Sequence, residues 1–336
     1  MNYFEGQAPT FESLDEVQAW VLSSLLDHGS PVTSRGMPTL ELFPVSFTLA
    51  HPRRRCITNP ERRWNLPLAI GEFCWHATGS NDVRFIEYYA PRWREFTDGI
   101  AILGSCYGHH IFSRKDGQPS QWERLVRLLR AERHSRRAVL QLFTPEPGLD
   151  ADTKDAPCTC SVQFMIRDDR LHAIVYMRSN DSIWGLPYDV FLFTMLQELL
   201  ALELGAELGS YHHLVGSMHL YRRHFELARR IVSSRASYAY EMPPVDALNE
   251  LPSFLKIESL IRTNIPVSAE IEALHPYWKD LLHVLQWHSR RKLNNGREPG
   301  FPAESGYAPL LPPATRISAN AAEQPQRALA RPRAVH

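Results

Sequence analysis

A cysteine follows a proline at the head of an alternating run in DAPCTCSVQF (Asp155–Phe164). Downstream, RSNDSIWGLPYD (Arg178–Asp189) sets an arginine and two aspartates around a glycine turn. A thiolate is a strong nucleophile, and a nearby guanidinium lowers the pKa of its thiol. Cys158, with arginines drawn from Arg35, Arg136, Arg137 and Arg178, could therefore add to an electrophilic carbon beside a bound anion. Guanidinium forks suit phosphate oxygens better than ammonium groups do. Glu72 lies in the apolar stretch NLPLAIGEFCWHATG, where burial raises a carboxyl pKa into the range useful for proton transfer. Each residue also has a plainer reading: Cys158 as a small buried side chain before a hairpin, HSRR as a solvated helix end, Glu72 as a surface glutamate.

The composition narrows the classes. Lys+Arg and Asp+Glu both total 37, so no bulk charge draws the chain to nucleic acid or to a membrane surface. The five cysteines (Cys56, Cys74, Cys106, Cys158, Cys160) are odd in number and irregularly spaced, which argues against a disulfide framework. Cys158-Thr-Cys160 is too tight for the usual zinc pair and has no second pair, so no metal is expected. MNYFEGQAPTFESLDE is acidic without an apolar core, unlike a secretory signal, and no apolar run is long enough to span a bilayer. A cytoplasmic protein of a reducing compartment is expected.

Periodicity supplies the elements that must hold these groups. TFESLDEVQAWVLSSLLDHGS reads as a helix capped by Thr10, with Phe11, Leu14, Val17, Val21 and Leu25 on one face. PTLELFPVSFTLA reads as strands, and NLPLAIGEFCWHATG and QWERLVRLLRAERHSRR as helices, the second followed by the strand AVLQLF. SVQFMIR and RLHAIVYMRS flank an Asp-Asp turn as a hairpin. DVFLFTMLQELLALELG is apolar nearly all round and predicts a buried helix, and MHLYRRHFELARRIV predicts another helix. The mixture lacks regular βαβ alternation, so an α+β fold is expected. A catalytic domain over 1–295 would precede a Pro/Ala/Arg-rich tail over 296–336, disordered or loosely docked.

Taken in order, GEFCWHATGSND, LGSCYG, SRR, PCTCSVQF, RSNDSIWGLPYD and GSMHLYRRH resemble the thymidylate synthase family, over about Arg35 to His224. The resemblance implies one α+β domain with a large mixed sheet packed by helices, paired through its sheet into a homodimer. It implies transfer of one carbon from 5,10-methylenetetrahydrofolate to C5 of a pyrimidine nucleoside monophosphate, with no metal. Residue by residue, it makes Cys158 the nucleophile and Glu72 an organiser of water and protons near the base and the folate, and places Tyr107 near the nucleophile. It makes Arg35 and Arg178 phosphate ligands, and Arg136 and Arg137 phosphate ligands donated by the neighbouring subunit. Ser179 becomes a phosphate or base contact, His219 and Tyr221 hold the sugar hydroxyl, Asp181 touches folate, and Trp93, after a one-residue gap, lines the folate cavity.

Asp189 departs from the synthases, which carry asparagine there to read the pyrimidine edge. Uracil shows an acceptor at C4 and a donor at N3, which an amide matches; cytosine shows an amino donor and a bare acceptor, which a carboxyl with a shared proton matches. The resemblance thus points to the cytidylate (CMP or dCMP) 5-hydroxymethylase branch, in which water captures the one-carbon intermediate. A nucleoside-antibiotic pathway or phage DNA modification would each use such an activity. The residue type alone also permits an exposed N-cap aspartate. Thr159, Met177, Ser217 and the ending ARPRAVH depart from the synthase pattern too. Thymidylate synthesis from dUMP and a non-catalytic nucleotide-binding role remain the alternatives, and ribose against deoxyribose stays open.

Overall fold

The computed structural model describes residues 8–97, 99–234, 240–295, 299–302, 305–311 and 316–317. Eight strands make one mixed sheet: β1 (Thr10–Phe11), β2 (Ser30–Ser34), β3 (Met37–Leu42), β4 (Val45–Leu49), β5 (Val139–Gln141), β6 (Thr159–Arg167), β7 (Arg170–Asp181) and β8 (Glu207–Tyr221). The order is β1-β4-β8-β7-β6-β5, with β3 also paired to β8 and β2 to β3. β7 and β8 run parallel, and their register sets Ser179 opposite Ser217 and Asp181 opposite His219.

The β6–β7 hairpin turns through Asp168 and Asp169, both in the left-handed region (φ 49° and 58°), as a two-residue turn between twisted strands requires. Alternation then buries Val162, Phe164 and Ile166 with Leu171, Ala173, Val175 and Met177 on one face. Tyr176 on β7 and Leu214 on β8 are exposed, as is Val139 on β5.

The helices are α1 (Leu14–His28), α2 (Leu66–Ala77), α3 (Val83–Tyr89), α4 (Tyr107–Phe112), α5 (Gln121–Ala131), the short α6 (Pro145–Gly148), α7 (Leu186–Leu204), α8 (Phe225–Ser233), α9 (Leu251–Arg262), α10 (Ser268–Glu272) and α11 (Pro276–Leu293). α7 is buried along most of its length, as its all-round apolarity predicts, and packs on β7, β8 and α2. Its two central polar residues tie it to its surroundings. Gln197 donates to the Leu171 and Gly209 carbonyls at 2.9 and 3.1 Å, and Glu198 takes Arg53, Arg55 and the Val245 N–H.

Two expected boundaries move. Ser13, not Thr10, caps α1, because Thr10–Phe11 pairs with Thr48–Leu49 as a strand. Met218–Tyr221 belongs to β8 rather than to a helix, because it pairs with Thr39–Leu42; the helix starts at Phe225. Long-range pairing outweighs local helical periodicity in both places. The tail expected from residue 296 is described only in part, and there Phe301, Tyr307 and Leu311 are buried. The ending ARPRAVH lies outside the described residues. Among the described residues no helix is long and apolar enough to cross a membrane.

Candidate active site

Cys158 precedes β6 in a loop held from both sides. Three residues before it, Asp155 accepts from the backbone N–H groups of Leu103 and Gly104 (2.8 Å each) and Ser105 (2.9 Å), and from the Ser105 hydroxyl. Gly104 is required there, since a Cβ would fall 1.8 Å from the Asp155 carbonyl oxygen. Tyr107 follows at the head of α4, and its hydroxyl oxygen accepts from the Thr159 N–H at 3.2 Å. Arg178 donates to the Pro157 and Ala156 carbonyls (2.8 and 3.0 Å), which sets its Nη2 3.9 Å from the Cys158 Sγ.

The guanidinium does not leave the resting sulfur ionised, contrary to the expected arginine-activated thiolate. Burial pushes the half-buried Cys158 thiol up to about 11, Arg178 pulls it down, and the Asp189 charge pushes it up again. Desolvation of the anion outweighs one neighbouring cation here. All five cysteines are free.

Asp189 lies in the first turn of α7 behind Pro187, inside the helix rather than capping it; Gly185 occupies the cap. Its carboxyl is half-buried, and Oδ2 accepts from Asn180 Nδ2 at 2.7 Å. Burial raises it to about 7, Asn180 lowers it, and the Asp181 charge raises it. Glu72 projects from α2 and is pushed up to about 8, first by burial and then by the Asp189 charge. The Asp189 charge also reaches Tyr107, so the thiol, the Glu72 carboxyl and the phenol all lie within electrostatic reach of Asp189.

Glu72 carries a stability consequence. The unfolded chain sheds this proton near 4.5, whereas the folded chain keeps it until about 8. The group's contribution is therefore complete below the lower value and is lost as pH rises through the upper one. Glu72→Gln, which cannot titrate, should flatten the decline of the unfolding midpoint between those two pH values. A decline as steep as in the parent chain would mean that Glu72 is not held protonated.

At the ends of β7 and β8, Ser179 Oγ lies 3.4 Å from His219 Nδ1, and Tyr221 follows on the same strand. Arg35 sits at the tip of the β2–β3 hairpin with φ 47°, next to Gly36. Burial raises the Tyr221 phenol, which also feels Asp181, Arg223, Cys158 and Arg35 in that order, so Arg35 lies within electrostatic reach of it. Asp181 Oδ1 accepts from the Ile183 and Trp184 N–H groups at 2.7 and 3.1 Å and shapes the turn that leads to Asp189. Trp93 packs edge-on against Trp75 with ring centres 5.6 Å apart. Arg136 and Arg137 stay outside this cluster: both are exposed before β5, and Arg137 bonds Glu132 at 2.7 Å.

Several residues of the site went unread in the sequence. Asn180 grips Asp189, and behind it His213 and Tyr211 are fully buried on β8. The signal was present in ELGSYHHLVGSMHLY, where alternation puts Tyr211 and His213 on the inward face with Val215. Trp184 is exposed, with the Arg92 and Arg223 guanidinium carbons 5.5 and 4.7 Å from its ring centre. Among the described residues no group of three or more His, Cys, Asp or Glu side chains is placed to hold a metal ion.

The thymidylate synthase family model matches residues 20–256. A deoxyuridylate hydroxymethyltransferase of Bacillus phage SP01 is 29% identical over 231 residues, 66% of this chain and 59% of that protein. The chain thus spans less than two thirds of that relative's length. The solved structure of thermostable thymidylate synthase A from Bacillus subtilis is similar, with a TM-score of 0.58 and 24% identity, over 70% of this chain and 90% of that one. This likeness speaks for the fold: a mixed sheet packed by helices.

Proposed function

The chain belongs to the thymidylate synthase family, and from that premise we propose that it is a cytidylate 5-hydroxymethyltransferase acting on CMP or dCMP. The observation that carries the reading is a carboxyl at Asp189, raised to about 7 and within electrostatic reach of the Cys158 thiol and the Glu72 carboxyl. Such a group can accept from an amino group and share a proton with a ring nitrogen. Against a C4 carbonyl, its ionised form would set acceptor against acceptor, at about 1–3 kcal/mol when buried.

The Cys158 sulfur bonds to C6 of the ring, the thiol proton leaves, and the electrons of the C5–C6 double bond move to C5. Arg178 stands where it can stabilise the sulfur anion as it forms and departs. 5,10-Methylenetetrahydrofolate supplies the carbon at the oxidation level of formaldehyde. Glu72, protonated at neutral pH, can hand over or take up a proton near the ring. C5 bonds to the supplied carbon, and loss of the C5 proton with departure of the folate nitrogen as tetrahydrofolate leaves an exocyclic methylene on C5. Water adds to it as C5 and C6 regain their double bond and the Cys158 sulfur is expelled, which gives the 5-hydroxymethyl nucleotide. Arg35, Arg178 and Ser179 serve the phosphate, His219 and Tyr221 the sugar, and Trp93 and Asp181 the folate side.

Tritium should be released from 5-labelled CMP or dCMP only when methylenetetrahydrofolate is present, without growth of dihydrofolate absorbance. Dihydrofolate formed in step with product would contradict water capture. The phage relative's name favours the same capture on a uracil nucleotide; tritium release confined to 5-labelled dUMP would establish that second reading.

The exposed positions of Arg136 and Arg137, remote from the cluster within one chain, support a homodimer in which each chain completes its partner's phosphate site. An Arg136→Ala/Arg137→Ala chain mixed with a Cys158→Ser chain should regain about a quarter of parental activity, since half of randomly paired dimers hold one intact site. No recovery after verified subunit exchange would remove the shared site.

A further inference from the structure

Behind Asp189 runs a chain of buried polar side chains that the reaction above does not use. Asn180 Nδ2 donates to Asp189 Oδ2 at 2.7 Å. Asn180 Oδ1 lies 3.3 Å from His213 Nε2, and His213 Nδ1 lies 2.8 Å from the Tyr211 hydroxyl. Asn180 is 2% exposed, and His213 and Tyr211 are 0% exposed. Phe47 stacks on the His213 ring with centres 4.9 Å apart, which fixes its plane.

The donor directions follow from the chemistry of each link. The reverse orientation of the Asn180 amide would need a proton on Asp189 Oδ2, would turn His213 Nδ1–H toward the Tyr211 oxygen, and would leave the buried phenol hydrogen without its His213 acceptor. With Oδ1 facing His213, the ring must carry its hydrogen on Nε2. Burial holds the imidazole pKa down at about 3, so the ring is neutral and Nδ1 is bare. Tyr211 must then donate to Nδ1. Only this polarity gives every buried donor of the chain an acceptor, and it commits Asp189 Oδ2 to accepting.

We propose that Tyr211, His213 and Asn180 are positioning residues that fix which oxygen of Asp189 accepts and which carries the proton, and thereby set the pyrimidine preference of the site. The inference rests on Asp189 reading the base. An accepting oxygen beside a proton-bearing one is complementary to the amino group and bare nitrogen of cytosine. Without the relay the carboxyl can place its proton on either oxygen, and the second arrangement tolerates a C4 carbonyl.

The test is the ratio of dissociation constants for CMP and UMP, by calorimetry on the full chain, which needs no turnover. Asn180→Leu, close in volume but unable to donate, should reduce the preference for CMP about tenfold. His213→Gln keeps an N–H able to reach Asn180 and should hold the ratio within about 1.5-fold of the parent, whereas His213→Leu should not. Tyr211→Phe removes one oxygen and keeps the ring, so it reports even if Asn180→Leu does not fold; a loss of about threefold is expected. A merely structural role would weaken both nucleotides alike. An unchanged ratio in folded Tyr211→Phe and Asn180→Leu, with a shifted ratio in Asp189→Asn, overturns the relay and spares the base reading. An unchanged ratio in Asp189→Asn removes both.

Discussion

Cys158→Ser is expected to lower turnover by about 10³-fold or more while nucleotide binding stays close to parental. A serine hydroxyl ionises far less readily than a thiol, and the alkoxide is a poor partner for reversible addition to a polarised double bond. The surroundings add to this, because burial already pushes the sulfur up to about 11, and Arg178, 3.9 Å from it, only partly offsets that. The loop itself should survive, since its ties run through Asp155, the Cys158 carbonyl and the Thr159 N–H rather than through Sγ. Steady-state tritium release alongside calorimetric titration separates the two effects. Turnover retained in the serine variant would refute the nucleophile.

The second large effect is expected at Asp189. Asp189→Asn should shift the ratio of kcat/KM for cytidylate over uridylate toward uridylate by about 10²-fold. An asparagine can present its oxygen to Asn180 and to N3–H while its amino group faces a C4 carbonyl, reversing what the carboxyl offers. The same change removes the second-largest cause of the raised Glu72 pKa, so the group should titrate closer to its ordinary value. The alkaline limb of the pH–rate profile, where Glu72 gives up its proton, should move to lower pH accordingly. An unchanged cytosine preference would contradict the role given to Asp189.

The local motifs were legible because each packs its chemistry into a few residues. Cys158 and Arg178 stand at the two ends of one hairpin, so the pattern of alternation around an Asp-Asp turn sufficed to bring them together. Asp189 could be read from the Gly-Leu-Pro turn that opens α7. Glu72 was legible as a buried carboxyl, but not its approach to Asp189, which depends on α2 packing against α7. The protonated resting state of Cys158 was not legible, because residue types reveal a nearby arginine but not the desolvation that opposes it. Tyr211 and His213 were hidden for a related reason: their inward register follows from β8 being one long strand, and MHLY at its end carries a helical period that only pairing with β3 overrules.

The most direct measurement is a panel of CMP, dCMP, UMP and dUMP, each incubated with methylenetetrahydrofolate and the parent chain, with products identified by mass. A 5-hydroxymethyl product from a cytidine nucleotide, with little or none from the uridine pair, is the predicted result. A methyl product from dUMP, or turnover confined to the uridine nucleotides, would contradict the account.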